Sequence, residues 1–226
     1  MPNGITQAAN GNFYGVTYQG GVGTCSNGAG CGTIFEMTPT GTLTTLYSFC
    51  QVSGCPDGFG PGPVTQATDG NFYGTTVGGT FGEGTVFQFT PNGSFTSLYN
   101  FCSQSGCPDG QVPDGGILQA TNGTFYGTTD AGGANSGGTV FSVSMGLGPF
   151  VKTVPTAGKV GANVIILGNN LTGTTKVSLN GTVATYTVVS DTEITATVPT
   201  GATTGRVVVT TPSGTLKSNV VFRVTN

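Results

Sequence analysis

Histidine and tryptophan are absent from this chain of 226 residues, and only 7% of its residues are charged. Without histidine, neither a histidine-based catalytic triad nor a histidine-ligated metal site can be built. No glycine-rich phosphate-binding loop stands before a helical pattern. These absences exclude most classes of enzyme, and we expect neither a cofactor nor catalytic activity.

Basic residues are missing from the first two thirds of the chain, and only Asp191 and Glu193 oppose the ones that follow. The basic residues are Lys152, Lys159, Lys176, Arg206, Lys217 and Arg223. The seven acidic residues before them are Glu36, Asp57, Asp69, Glu83, Asp109, Asp114 and Asp130. This division either steers head-to-tail contact between copies or reflects two separately solvated domains. An acidic block does not suit nucleic acid, and the lack of any run of about 20 apolar residues predicts no membrane insertion.

Glycine and proline, by contrast, are abundant, with 41 and 12 residues. Such a composition is typical of many short strands joined by tight turns. We therefore predict an all-β protein in which helix is nearly absent.

Two sequence motifs occur three times each. Phe72-Tyr73-Gly74 repeats Phe13-Tyr14-Gly15 and returns as Phe125-Tyr126-Gly127. The second motif comprises Gly32-Thr33-Ile34-Phe35, Gly84-Thr85-Val86-Phe87 and Gly138-Thr139-Val140-Phe141. Tandem similarity at a fixed period is the signature of repeat architectures. We therefore predict three repeats.

The second repeat predicts four strands, which we place at residues 63–68, 71–76, 84–90 and 94–101. Asp69-Gly70 provides the hairpin turn between the first two strands, and Pro91-Asn92-Gly93 provides the last turn. A four-stranded antiparallel unit of this length is typical of a propeller blade. The repeated Phe and Tyr residues would then form the core between blades.

These motifs together, from Asn-Phe-Tyr-Gly-Thr-Thr to Leu-Tyr-x-Phe, resemble the GloVer tandem repeat of bacterial extracellular proteins over residues 3 to about 145. The resemblance implies a secreted or surface setting and supplies no catalytic residues. The third repeat departs from the pattern, because no Pro-x-Gly turn, no Leu-Tyr-x-Phe strand and no cysteine pair follows Phe141. We therefore expect the third repeat to lack its fourth strand.

Residues from about 150 to 226 are similar to an IPT/TIG immunoglobulin-like domain, beginning with the segment from Val154 to Leu171. Independently of this resemblance, short alternating strands with regular turn signals argue for a β-sandwich. Val164, Ile166, Val207 and Val209 should face its core. We predict two parts, three β-repeats in residues 1–148 and an Ig-like β-sandwich in residues 149–226.

The six cysteines occur as three close pairs: Cys25/Cys31, Cys50/Cys55 and Cys102/Cys107. This local spacing suits small loops closed by disulfides. Zinc is the alternative, although its sites normally use closer pairs and often histidine. We favour disulfides, each contributing roughly 2 kcal/mol through loop closure, and hence an extracellular or cell-surface location.

Three further groups of residues are candidate sites. Tyr14, Tyr73 and Tyr126 would form a glycan-stacking stripe if they faced outward, although stacking in the core is the alternative. A carboxylate pair drawn from Glu36, Glu83, Asp130 and the other aspartates would suit a glycosidase. Because Glu36 corresponds to Gln88 and Ser142, we expect it to face solvent. Asp57, Asp109 and Asp114 lie in loops, where turn formation explains them better than calcium binding.

The function that we expect is a non-catalytic structural subunit of a bacterial surface filament. Three repeats are fewer than the 4 to 8 blades of a closed propeller, and exposed strand edges are templates for another chain. Copies of the chain would assemble head to tail through these edges. The alternatives are a surface adhesion module that binds extracellular glycans and a carboxylate-dependent glycosidase.

Overall fold

A computed structural model of the protein describes residues 1–25 and 28–226. Within these residues the chain is all-β, with no α-helix. No helix among them is long and apolar enough to cross a membrane. The strands are β1 (Pro2–Gln7), β2 (Phe13–Thr17), β3 (Thr33–Met37), β4 (Leu43–Ser48), β5 (Phe59–Pro61), β6 (Thr65–Gln66), β7 (Phe72–Gly78), β8 (Thr85–Phe89), β9 (Phe95–Asn100), β10 (Ile117–Gln119), β11 (Phe125–Thr129), β12 (Thr139–Val143), β13 (Lys152–Val154), β14 (Ala157–Lys159), β15 (Asn163–Leu167), β16 (Lys176–Leu179), β17 (Thr182–Val183), β18 (Tyr186–Ser190), β19 (Glu193–Thr197), β20 (Val207–Thr211), β21 (Gly214–Lys217) and β22 (Arg223–Thr225).

The chain divides into two compact units. The first comprises residues 1–119 and 125–143, and the second comprises residues 120–124 and 144–226. The first unit contains the strands of all three repeats, while the turn of the third repeat, residues 120–124, is grouped with the second unit.

Each repeat forms its own antiparallel sheet. The first repeat has the order β1-β2-β3-β4, and the second has β5-β7-β8-β9, with β6 also pairing with β7. The first strand predicted at residues 63–68 is shorter in the structure, where only Thr65–Gln66 form β6, and the separate strand β5 precedes it on β7. Pro63 lies between the two strands, and proline cannot donate a backbone hydrogen bond to a ladder. The same irregularity in register occurs between β3 and β4 and between β8 and β9, so the repeats share their local distortions as well as their sequence.

The hairpin turns follow from the Asn-Gly and Asp-Gly pairs. Gly70 has φ +85° and donates its N–H to Ala67 O at 3.0 Å, closing the turn between β6 and β7. Only glycine adopts this backbone conformation readily. The corresponding Gly11 and Gly123 repeat this geometry with φ of +88° and +91°.

The third sheet is smaller and has the order β10-β11-β12. In the first two repeats, β4 pairs with the outer edge of β3 and β9 pairs with the outer edge of β8. Among the described residues, no strand pairs with the corresponding edge of β12. The absence of a fourth strand, predicted from the missing Leu-Tyr-x-Phe segment, is confirmed in the structure.

The second unit has two four-stranded antiparallel sheets, β13-β15-β19-β18 and β17-β16-β20-β21, together with the parallel pair β14-β22. Residues of both larger sheets share one hydrophobic core. Val164, Ile166, Val207 and Val209 are 0 to 1% exposed, as the alternation of apolar residues predicted. The core of this unit is therefore formed between the two sheets.

Candidate functional site

The two sides of each repeat sheet carry different aromatic residues, because successive side chains of a strand point to opposite faces. We call one side the Tyr face, since it carries Tyr14, Tyr73 or Tyr126. The other side is the Phe face, which carries Phe13, Phe72 or Phe125. Cross-strand partners add Ile34, Val86 or Val140 to the Tyr face and Phe35, Phe87 or Phe141 to the Phe face.

The Tyr face of one repeat packs on the Phe face of the next. Tyr14 lies 4.4 Å from Phe72, measured between ring centroids, with an interplanar angle of 34°. Tyr73 and Phe125 have the same distance and the same angle. Tilted aromatic pairs of this kind contribute about 0.5–1.5 kcal/mol beyond the burial of their area. The same contact therefore joins the first repeat to the second and the second repeat to the third.

Rings on the fourth strands, or directly after them, reinforce these contacts. Phe49 reaches Phe87 of the second repeat at 5.4 Å, and Phe101 reaches Phe141 of the third at 5.0 Å. Tyr47 also stacks on Phe95 at 4.3 Å. The third repeat contributes no corresponding fourth strand, so this reinforcement stops with the second repeat.

Hydrogen bonds between neighbouring repeats recur in the same way. Thr6 donates Oγ1–H to Val64 O, and the corresponding Thr65 donates to Ile117 O at 2.6 Å. Gln66 Oε1 accepts from the backbone N–H of Ala9. Gln119 Oε1 accepts from the N–H of Thr68, 3.0 Å away. Because backbone acceptors and donors are bonded across the contact, the spacing between repeats is set as well as their burial.

The buried tyrosines anchor their hydroxyl groups in polar contacts. Tyr14 donates its hydroxyl to Glu36 Oε1 at 2.7 Å, and Tyr73 donates to Asp69 Oδ2 at 2.9 Å. Burial, followed by the hydrogen bond to Glu36, raises the pKa of Tyr14. Hydrogen bonds from Tyr14 and Asn12 lower the pKa of Glu36. Glu36, which we expected to face solvent, is half-buried, and its carboxylate accepts hydrogen bonds from both of these side chains.

The predicted glycan stripe is not a continuous exposed surface. Tyr14 is 1% exposed and Tyr73 is 2% exposed, because each lies between two repeat sheets. Only Tyr126 has an accessible ring, at 39%. The structure therefore corrects the outward-facing interpretation for Tyr14 and Tyr73 and leaves Tyr126 as the one stripe residue that a ligand can reach.

The three cysteine pairs are joined by disulfides, with Cα–Cα distances of 5.0 Å for Cys25–Cys31, 4.3 Å for Cys50–Cys55 and 4.2 Å for Cys102–Cys107. The sulfur atoms of Cys25, Cys50 and Cys55 lie within 4.8 Å of one another. These sulfurs are already in disulfide bonds, whereas zinc needs free thiolates. The geometry therefore favours two neighbouring disulfide loops over the alternative zinc site.

An aspartate closes two of these loops. Asp57 Oδ2 accepts from the Tyr47 hydroxyl at 2.8 Å and from the Cys50 N–H at 2.9 Å. Asp109 accepts from the Tyr99 hydroxyl and the Cys102 N–H in the same arrangement. These contacts give both carboxylates a structural role, whereas Asp114 is exposed and its N–H donates to Val112 O.

The other two carboxylates considered for catalysis lie near β-turns. Glu83 is half-buried and precedes β8, while Asp130 is exposed and follows β11. Their backbones are linked through one residue, since Val112 N–H donates to Glu83 O and Asp130 N–H donates to Val112 O. Glu36 is bonded to Tyr14 and Asn12 instead, so its carboxylate serves the Tyr face of the first repeat.

The two ends of this stack of sheets differ from its interior. On the Tyr face of the third repeat, Val140 is 78% exposed, whereas the corresponding Ile34 and Val86 are 0% and 1% exposed. On the Phe face of the first repeat, Ile5 is 54% exposed, whereas Val64 and Ile117 are 5% and 7% exposed. Sequence reasoning missed these two surfaces, although the alternation within Phe-Tyr-Gly and Thr-Val-Phe was a signal that each sheet has two apolar faces.

Comparison with known proteins places the chain in a sequence context. The model of the family described as Gloeobacter/Verrucomicrobia repeat matches residues 1–225. Comparison with curated proteins gave no match.

Two solved structures are distantly similar. A fungal alcohol oxidase of the AA5 family, in complex with copper, shares 18% identity at a TM-score of 0.36, covering 96% of this chain and 52% of its own. A protein crystallised with a xylogluco-oligosaccharide shares 21% identity at a TM-score of 0.30, covering 84% of this chain and 44% of its own. This chain spans about half the length of either protein or less, and likenesses this weak carry no argument about function.

Proposed function

The chain belongs to the Gloeobacter/Verrucomicrobia repeat family, and we propose that it is a non-catalytic structural subunit of an extracellular bacterial filament. Its partners are copies of itself, joined head to tail through strand edges. The observation that carries this proposal is the open edge of β12. Unpaired backbone groups along such an edge are a template for a strand from another chain.

The disulfides support the extracellular part of the proposal. All six cysteines are paired, and bonded pairs persist in oxidising compartments. The finer architecture belongs to the same proposal: the three repeats are propeller-blade-like units, and residues from about 150 to 226 form an IPT/TIG-like sandwich that acts as a spacer. A head-to-tail contact that does not close on itself produces a filament.

Electron microscopy and light scattering of the intact, oxidised chain test this function. We expect elongated particles whose length increases with protein concentration. A synthetic peptide with the sequence of β9, Phe95–Asn100, should shorten them, because it offers β12 the strand that the third repeat lacks. A scrambled peptide of the same composition is the control. A monodisperse monomer at every concentration would contradict the proposal.

A second candidate, a surface adhesion module that binds glycans, is favoured by the accessible ring of Tyr126. Aromatic rings exposed on a rigid sheet are suited to stacking on sugars. A glycan array should then show binding that Tyr126→Ala abolishes, whereas Tyr18→Ala, which removes a ring of equal exposure, serves as the control. Absence of binding across microbial, plant and host glycans would exclude this candidate.

A further inference from the structure

The exposed surfaces at the two ends of the repeat stack are halves of a contact that the chain already makes twice. The repeat-3 face is the Tyr face of the third repeat, formed by Leu118, Tyr126, Thr128, Val140 and Ser142, all exposed. The repeat-1 face is the Phe face of the first repeat, formed by Ile5, Phe13, Phe35 and Met37, which are half-buried or exposed.

Inside the chain, each Tyr face that is followed by another repeat is covered by that repeat. The Tyr faces of the first two repeats are buried by the Phe faces of the second and third, with the same ring geometry at both contacts. On the repeat-3 face, Thr128 pairs with Val140 as Thr75 pairs with Val86. The repeat-3 face therefore has the same strand register as the two Tyr faces that Phe faces cover.

We infer that the repeat-1 face of a second copy of this chain packs on the repeat-3 face, so that the stack of sheets continues from one molecule into the next. This inference rests on the proposed function and specifies its contact: the copies meet through sheet faces in addition to the β12 edge. Val140 would lie where Val86 lies within the chain, and Ile5 of the neighbour would take the place of Ile117.

The chemistry of the two faces fits this partner. None of the residues named for either face is charged, and exposed Asp130 directly follows β11 at the rim of the repeat-3 face, so docking buries no ion among the named residues. Leu118 replaces the threonine found at positions 6 and 65, which exchanges one hydrogen bond for apolar surface. Gln7 occupies the place of Gln66 and Gln119 and holds the same local bond, Nε2–H to Gly11 O at 3.2 Å, as Gln66 makes to Gly70 O.

The dependence of assembly on salt concentration distinguishes this contact from an attraction between the acidic and the basic part of the chain. Attraction between opposite charges weakens as the Debye length falls to about 3 Å at about 1 M salt. The residues that approach here belong to repeats with acidic and no basic side chains. We therefore expect assembly through the faces to persist or strengthen at high salt.

Single lysine substitutions on the two faces test the contact in the full, oxidised chain. Val140→Lys and Ile5→Lys should each weaken self-association about 100-fold, measured by sedimentation, because docking would bury an unpaired ammonium group. Val52→Lys, which changes a valine 65% exposed in a disulfide loop, is the matched control and should assemble as the wild type does. Far-UV circular dichroism should be the same for all variants.

Mixing the two variants gives the sharper result. Val140→Lys keeps an intact repeat-1 face and Ile5→Lys keeps an intact repeat-3 face. An equimolar mixture should therefore form heterodimers through one intact face contact, at protein concentrations where each variant alone associates about 100-fold more weakly than the wild type. Wild-type-like assembly of both variants, or a mixture without heterodimers, would overturn the inference.

The outcomes also separate this inference from the proposed function. Suppose that the wild type forms a particle of two chains, twice 22.6 kDa, and that Val140→Lys abolishes it. This result would support the face contact but contradict the filament, because two sets of three repeats would have closed into a ring. Filaments that survive both lysine substitutions would keep the filament and overturn the face contact. A wild-type chain that stays monomeric at high salt and high concentration would overturn both.

Discussion

Tyr47 shows how single hydroxyl groups stabilise the repeats. It donates to Asp57, which also accepts from the backbone of Cys50, so one carboxylate connects the fourth strand to the disulfide loop that follows it. Burial, then the hydrogen bond to Asp57 and its charge, raise the pKa of Tyr47 above its ordinary value. Burial and Asp69 act on the pKa of Tyr73 in the same direction.

Alkaline pH should therefore destabilise the repeats. A tyrosine whose pKa is raised by folding contributes its full stability below the unfolded pKa of about 10 and loses it as pH rises toward the folded value. We expect the urea midpoint of unfolding to fall above about pH 10. The fall should be shallower in the double variant Tyr47→Phe/Tyr73→Phe. Parallel curves for wild type and variant would contradict this explanation.

Removing the carboxylate tests the same contact at neutral pH. Asp57→Ala should lower the free energy of unfolding by about 1.5–3 kcal/mol, the contribution expected of hydrogen bonds to a charged group. Asp109→Ala removes the corresponding contacts of the second repeat, where Tyr99 is 41% exposed, and should cost less. Chemical denaturation of the oxidised chain measures both. Equal losses would show that burial of the tyrosine does not determine the contribution.

At the scale of the strand, the glycine of each Phe-Tyr-Gly triplet is explained by its cross-strand neighbour. Gly74 pairs with Phe87, whose ring crosses over it, so that a Cβ at this position would lie 2.7 Å from Phe87 Cζ and 3.0 Å from Val64 Cγ1. Gly15 and Gly127 are covered by Phe35 and Phe141 in the same way. The glycine makes room for the ring of the Phe face.

Gly74→Ala should consequently destabilise the protein by about 1–3 kcal/mol, because Phe87 is fully buried and cannot move aside. Gly127→Ala should cost less, since Phe141 is only half-buried and its ring has room to shift. Gly137→Ala is the control, because a Cβ there meets nothing within 4 Å, and its effect should stay within about 0.5 kcal/mol. Urea unfolding provides the comparison, and equal effects at all three positions would refute the explanation.

At the scale of the whole molecule, the disulfides are confined to one unit. All three bridges lie in residues 25–107, whereas the unit that contains residues 144–226 has no cysteine and is stabilised by its shared hydrophobic core. Loop closure should contribute about 2 kcal/mol per bridge to the first unit.

Reduction should therefore act on the repeats alone. After treatment with a thiol reductant, we expect faster amide hydrogen exchange in the strands of the first unit. Exchange in β15, β19 and β20 of the second unit should be unchanged, which makes these strands the internal control. Equal loss of protection in both units would show that their stabilities depend on one another.

Much of the architecture was predictable from the sequence. The threefold repetition of Phe-Tyr-Gly and Gly-Thr-Val/Ile-Phe indicated repeated strands, and the Asp-Gly and Asn-Gly pairs indicated the hairpins between them. The segment missing after Phe141 indicated a sheet with an open edge. These features are local, since they depend on backbone propensity, turn geometry and alternation within a few residues.

Only the tertiary structure decided which side of each sheet is covered. Both faces carry apolar residues, so alternation alone does not distinguish the buried side from the exposed one. Tyr73 and Tyr126 occupy the same place in the same motif, yet Tyr73 is 2% exposed and Tyr126 is 39% exposed. The difference arises because burial depends on whether a further sheet packs against the same face: the third sheet covers the Tyr face of the second, whereas Val140 on the Tyr face of the third is 78% exposed.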